Sequence, residues 1–349
     1  MKIAIHHSKG GFSSSWISYC QKQGIDYKVI NCYESDIVTR LSDCDALMWH
    51  FHHANCRDVL FAKQLIYSLE SAGMVVFPDF HTCWHFDDKV GQMYLLKSVG
   101  APVVPTYIFY EKGKAYEWAE NAVFPKVFKL RTGSGSSHVR LVSGRKEARK
   151  FINKAFGKGF KQYEPRSNLK ERWRKYRAGK SSLLNILKGM VRFGYTTDFD
   201  RIVGNEKGYV YFQDFIPDNE FDIRVIVIDN KAFAIKRLVR ENDFRASGSG
   251  FIEYGKENFD NEIVQRSFEL TDKLKSSSLV LDYIFDGKQP LISEISYGFT
   301  KEGYEQCEGY WNKDLTWHEG LFNPQGWMVE SVIQQIREKN RRADIVEPS

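Results

Sequence analysis

The first hundred residues alternate short apolar runs with longer stretches in which apolar residues return every three or four positions. Residues 2–6, 27–31, 46–51 and 74–78 read as buried strands. Residues 13–23 read as a helix that starts in a serine cluster able to cap it. Over 58–72, Leu60, Phe61, Leu65, Ile66 and Leu69 fall at helical spacing, and Gly73 is suited to the left-handed C-cap. A further helix is expected over 87–99, stopping at Gly100. Strands alternating with helices of about ten residues or more imply a parallel sheet with right-handed crossovers. Ligands of such sheets sit outside the carboxyl ends of the strands.

From Pro105 the pattern changes to longer strands that pair locally. They are expected at 106–110, 124–129, 139–142, 209–215, 222–228, 231–239, 279–285 and 291–295. Asp229-Asn230 and Asp286-Gly287 are hairpin signals. Helices are expected at 146–156, 262–275 and 327–339, and the polar tail 341–349 is expected to fray. The chain therefore reads as an α/β domain over 1–104, followed by two α+β subdomains over 105–205 and 206–340.

Composition narrows this little. Hydrophobic residues make up 42% and aromatic residues 15%, which excludes a disordered or coiled-coil chain and calls for packed cores. No apolar run is long enough to span a bilayer, and the apolar stretch in residues 1–10 is too short for a secretory leader. The six cysteines form no CxxC pair and read as reduced thiols, so a cytoplasmic location is expected. The net charge of +6 is concentrated: 158–192 holds eleven Lys or Arg against Glu164 and Glu171, a local +9 that leaves about −3 for the remainder.

The candidate chemistry lies in an ordered series of short segments. A strand ending in Lys129 runs directly into the Gly/Ser-rich stretch Thr132-Gly133-Ser134-Gly135-Ser136-Ser137-His138, then into a second strand. Small residues let backbone N–H groups wrap phosphate oxygens while a lysine supplies a point charge. No Gly-Lys-Ser/Thr follows, so this is not a Walker loop, and a plain flexible hairpin is the alternative. Next come Gln213-Asp214-Phe215-Ile216-Pro217 leaving a strand, and Asp222-Ile223-Arg224 with acid and base on one side of the next. That pair alone could be a surface ion pair, worth about 0–1 kcal/mol. Arg237 precedes another flexible loop that holds Ser247. Last, Asp282 and the run Glu294-Ile295-Ser296 put two carboxylates on adjacent antiparallel strands, a donor set suited to Mg²⁺.

This order resembles the ATP-grasp superfamily. The stretch 232–250 is most similar to its ribosomal-protein glutamate ligases, which carry an alanine-rich strand, an arginine and a Phe-Arg-Ser-Asn turn. The resemblance runs from about residue 87 to 296, and the βαβ start suits the superfamily's N-terminal, Rossmann-like domain. It implies that ATP and Mg²⁺ are bound. Lys89 and Lys129 would reach the ATP phosphates, and Thr132 to His138 would close over them. Gln213, Asp214, Phe215 and Ile216 would form the hinge that recognises adenine, with Asp222 near the ribose or holding the site. Arg224 and Arg237 would stabilise the transferring phosphoryl group, and Asp282, Glu294 and Ser296 would hold the metal. Ser296 stands where the superfamily usually has Asn, and Ser247 where the glutamate ligases have Asn.

The implied reaction is ATP-dependent joining of a carboxylate to an amine through an acylphosphate. Residues 310–327 and the Glu-Ile-Ser variant look similar to ATP-grasp proteins encoded with bacterial surface-polysaccharide genes, which suggests a uronic acid as acceptor. A peptide or amino-acid ligase, a small-molecule kinase and a nucleotide-binding module are the alternatives. The basic segment 158–192 could meet an anionic membrane surface or an acidic polysaccharide, less readily nucleic acid, or be a solvated lid. Seven of nine histidines (His6, His7, His50, His52, His53, His81 and His85) lie in the first domain. They could ligate a metal, contact an acidic substrate, or simply occupy loop ends.

Overall fold

The structure is a computed structural model that describes residues 1–133, 138–161, 169, 172–173, 176, 182–191, 198–239 and 251–346. The chain divides into two compact units. The first comprises Met1–Phe86, Leu95–Pro102 and Asn219–Ser349, and the second Asp87–Tyr94 and Val103–Asp218.

The first unit opens with β1 (Ile3–His6), α1 (Ser13–Gln23), β2 (Tyr27–Ile30), the short α2 (Ile37–Arg40), β3 (Ala46–Met48), α3 (Cys56–Ser71), β4 (Val75–Phe77) and the short α4 (Phe80–Cys83). The strands form a parallel sheet in the order β2-β1-β3-β4, as the alternating pattern predicts. Alternation along β1 sends Ile3 and Ile5 to the side of Phe12, Trp16 and Cys20, and Ala4 to the side of Ala62, Leu65 and Ile66. The expected strand 46–51 ends early, at Met48 opposite Phe77, because Pro78 follows and has no N–H to continue the ladder. Helix α3 starts two residues before expectation because the Asn55 side chain caps it, accepting from the Arg57 N–H at 3.1 Å.

Helix α5 (Lys89–Ser98) leads into the second unit, where β5 (Thr106–Phe109), α6 (Lys112–Asn121), β6 (Lys126–Lys129), β7 (Arg140–Val142), α7 (Arg145–Ala155), α8 (Leu183–Val191), α9 (Asp198–Val203) and β8 (Val210–Asp214) follow. The antiparallel sheet runs β5-β8-β6-β7. One face, with Phe128, Val142, Val210 and Phe212, is covered by Ala115 and Ala119 of α6 and Ala148 and Ile152 of α7. Helix α6 was not expected: its sequence is mostly polar, and only two alanines and two aromatics turn inward.

The chain then builds the rest of the first unit: β9 (Phe221–Ile228), β10 (Lys231–Leu238), β11 (Ile252–Glu253), α10 (Asn261–Leu274), β12 (Ser278–Asp286), β13 (Gln289–Ser296), β14 (Gly309–Asn312), β15 (Trp317–Glu319) and α11 (Pro324–Val346). These strands form a seven-stranded sheet ordered β13-β12-β9-β10-β14-β15, with β11 also on β10. Both predicted hairpins are present, with Asp229 and Gly287 in the left-handed region at φ 49° and 61°. Val225, Val227, Leu279 and Leu281 share the face toward α10. Ile226, Ile228, Phe233, Ile235 and Val280 on the opposite face join α1, β1 and α11 in one core. Helix α11 continues through 341–346, where fraying was expected, since Arg341, Arg342 and Ala343 are good helix formers and the next proline is Pro348. No described helix is long and apolar enough to cross a membrane.

Candidate active site

In the second unit, β6 and β8 pair antiparallel with Lys129 opposite Tyr211 and Val127 opposite Gln213. Residues opposite each other share a face, so Lys129, Tyr211, Gln213 and Thr106 lie on the side of the sheet away from α6 and α7. Gln213 is buried and donates to the Thr106 hydroxyl at 3.1 Å. Asp214 lies on the other face, where Lys126 donates to it at 2.5 Å while sitting over the Tyr107 ring. Of this segment, Gln213 therefore stays on the face with Lys129, whereas the Asp214 carboxylate is engaged by Lys126 on the other. Phe215 and Ile216 follow β8, half-buried.

The entrance to the Gly/Ser loop is fastened by a network. Lys89, buried at the start of α5, donates to the Gly133 carbonyl at 2.8 Å, and its own N–H donates to the Arg131 carbonyl at 2.9 Å. Asp87 accepts from the Gly133 N–H at 2.8 Å, and Asp88 pairs with Arg131 at 2.5 Å. Glu206 accepts from the Arg131 and Thr132 N–H groups at 3.0 and 3.2 Å, from the Thr132 hydroxyl and from the Tyr209 hydroxyl. Burial, then the nearby Glu206 charge, pushes the Tyr209 hydroxyl far above its ordinary range, so it stays a donor. His138 is buried where the chain reaches β7, and Ser134 to Ser137 lie outside the described residues. Asp87, Asp88, Arg131, Glu206 and Tyr209 were not picked out from the sequence; only Glu206 and Tyr209, acidic and aromatic just before a strand, offered a faint signal.

In the first unit the strand register assembles charges that are far apart in sequence. Across four strands Glu294 faces Asp282, Asp282 faces Arg224, and one step along Asp222 faces Arg237. The Arg224 guanidinium forks onto Asp282 (Nε to Oδ1 2.5 Å, Nη2 to Oδ2 2.6 Å), and Arg237 forks onto Asp222 (2.5 and 2.8 Å). Arg237 Nη2 also lies 3.2 Å from Asp282. Asp222 therefore pairs with Arg237 rather than with Arg224, and the pair is buried rather than on the surface. These residues continue the face that holds Ile226 and Ile228, so one strand alternation supplies apolar core at one end and a charged ladder at the other. Burial opposes ionisation of Asp282, yet Arg224 and Arg237 outweigh it and hold the carboxyl well below the usual range. Burial raises Asp222, and the Arg237 fork offsets that only in part.

Asp282 and Glu294 oppose each other across β12 and β13 and share a face, which puts two carboxylates side by side. These hard oxygen donors fit Mg²⁺. The Ser296 hydroxyl accepts from the Gly298 N–H at 3.1 Å and reaches the Gly298 carbonyl at 3.3 Å, which draws it into a turn. Among the described residues no three His, Cys, Asp or Glu side chains gather to hold a metal, so the N-terminal histidines form no such centre. Their ring nitrogens have local duties: His6 accepts from Cys32 N–H, His50 from Phe12 N–H and His52 from Ala54 N–H, at 3.0 to 3.1 Å. About half of the basic segment 158–192, and residues 240–250 including Ser247, lie outside the described residues.

No protein-family model and no curated protein matches the chain. Solved structures do match over nearly its whole length. A RimK domain ATP-grasp protein from Sphaerobacter thermophilus aligns with a TM-score of 0.55 at 12% identity, covering 96% of this chain and 100% of that one. The D-alanine–D-alanine ligase of Bacillus anthracis, solved with ATP, gives 0.57 at 12% identity, covering 97% and 99%. The ATP-grasp ligase PsnB, solved with a minimal precursor, Mg and ADP, gives 0.55 at 12%, covering 96% and 98%. The chain has the ATP-grasp fold, as its motif order led us to expect.

Proposed function

We propose that the chain is an ATP- and Mg²⁺-dependent carboxylate–amine ligase. The observation that carries this reading is the charged ladder of Asp222, Arg237, Asp282 and Arg224, with Glu294 beside it, on a sheet of the ATP-grasp fold. Support also comes from the likeness to a ligase solved with ATP and to PsnB solved with Mg and ADP. Lys89, Lys129 and the loop from Thr132 take the ATP phosphates, and Gln213 takes the adenine. Asp282 and Glu294 hold Mg²⁺, which supplies charge neutralisation between phosphate oxygens. A substrate carboxylate oxygen attacks the γ-phosphorus, ADP departs, and Arg224 and Arg237 offset the charge on the transferring group. The amine then attacks the acylphosphate carbonyl and expels phosphate, giving the amide, and the amine proton passes to solvent.

The finer reading is that the acid is a uronic acid, amidated by an amino acid or another amine during assembly of a bacterial surface polysaccharide. Support is the likeness of residues 310–327 to proteins of that setting. Helix α8 presents Leu183, Leu184 and Leu187 to solvent within the cationic segment, which supports contact with an anionic membrane surface.

Thermal unfolding with and without Mg-ATP, followed by ADP release across carboxylates and amines, tests the proposal. Mg²⁺-dependent stabilisation and amine-stimulated ADP release are expected. ADP release indifferent to amine would identify a kinase, and no stabilisation at all would overturn nucleotide binding.

A further inference from the structure

Beside α1 the first unit carries an open pocket of about 530 Å³, within the range of about 300–1,000 Å³ typical of small-molecule sites. Helix α1, the loop after β13 and the loop leading into α11 form its walls. Three features give it a chemical character. Its charged lining is two ammonium groups, Lys22 and Lys301, against one carboxylate, Glu305. The rest of its polar lining consists of hydroxyls and amides, among them Ser18, Asn323 and the buried Gln325. Phe322, stacked on Trp327 at 5.2 Å, adds an aromatic wall.

The cavity reaches the charged ladder through one residue. Tyr304 forms part of the cavity floor, and its hydroxyl accepts from Arg224 Nη1 at 3.5 Å. Arg224 in turn forks onto Asp282. The geometry points to this cavity as the pocket for the acid substrate, and to a polyhydroxylated carboxylate of the sugar-acid class as its ligand. Excess positive charge suits the carboxylate, the hydroxyls of α1 and the amides of Asn323 and Gln325 suit ring hydroxyls, and Phe322 suits an apolar ring face. Tyr304 is then a positioning residue that ties pocket to ladder. As an acid-substrate site this inference rests on the ligase reading above, whereas binding itself can be measured without ATP.

Calorimetric titration of the full chain with glucuronate, glucose and glutamate, in the absence of nucleotide, tests it. Glucuronate is expected to bind at least about ten-fold more tightly than either other probe, and the Lys22→Ala/Lys301→Ala double variant to lose about ten-fold for glucuronate. Both lysines are exposed, so this variant keeps its fold and its Mg-ATP response. Tyr304→Phe is expected to lower kcat while leaving KM for the acid unchanged. Failure of glucuronate to bind, equal binding by the double variant, or preference for glutamate would overturn the assignment. A chain that binds glucuronate but shows no Mg-ATP stabilisation would keep the pocket and discard the ligase. The reverse result would keep the ligase and discard the pocket.

Discussion

In the second unit two of the buried cations are lysines, Lys89 on α5 donating to a backbone carbonyl and Lys126 on β6 donating to the half-buried Asp214. On the seven-stranded sheet of the first unit they are arginines, each forked onto a buried aspartate. A lysine is a point charge on a flexible stem that can exchange a carbonyl for a phosphate oxygen with little rearrangement. A buried fork fixes direction, and removing one side strands a charge away from water. The second unit thus carries charge that can be re-partnered, and the first holds one arrangement of charge.

Four changes test that contrast. Arg237→Met leaves Asp222 buried without its fork and is expected to cost about 3–5 kcal/mol in a urea titration; a loss below 1 kcal/mol would show the ladder to be loosely held. Lys129→Ala is expected to cut ATP turnover about 100-fold or more with an almost unchanged unfolding midpoint, and normal turnover would remove this residue from the phosphate grip. Lys126→Met, facing a carboxylate that water still reaches, is expected to cost only about 1 kcal/mol, and a loss matching that of Arg237→Met would erase the contrast. The gentlest test is acid titration. His50 is buried and neutral, its pKa lowered to about 3 by burial and then by His52 and His53, against 6.5 for an ordinary histidine. The unfolded chain therefore takes up the proton first, and stability falls as pH drops below about 6.5 toward about 3. His50→Asn, which keeps an acceptor for the Phe12 N–H, is expected to flatten the slope of stability against pH over that window.

The same contrast decides what could be read from sequence. Lys129 and the loop after it are contiguous, so their spacing alone suggested a phosphate grip. Glu206 and Tyr209 fasten that loop from about 75 residues further along, and isolated polar residues carry no mark of such partners. For the ladder, period-two alternation correctly put Asp222 and Arg224 on one face. Only the register of β9 against β10 and β12 could show that their partners are Arg237 and Asp282. Strands β14 and β15 went unread because their sequences, Gly-Tyr-Trp-Asn and Trp-His-Glu, lack the aliphatic run that marks the equally short β1, β3 and β4. The histidines were conspicuous by number, yet the described contacts show imidazoles serving nearby backbone N–H groups.

The division of the first unit along the chain also sets an order of assembly during synthesis. Its parallel sheet is made from residues 3–77, but Ile3, Ile5 and Phe77 share a core with Ile226, Phe233, Met328, Val332 and Ile336. The second unit is complete once residue 218 has left the ribosome, whereas the face of the first sheet that α1 partly covers gains the rest of its core only with more than a hundred further residues, ending with α11. At about 5–20 residues per second that face stays only partly covered for several seconds or longer. A chain truncated before α11 is therefore expected to carry a finished second unit and an unfinished first one that exposes apolar surface.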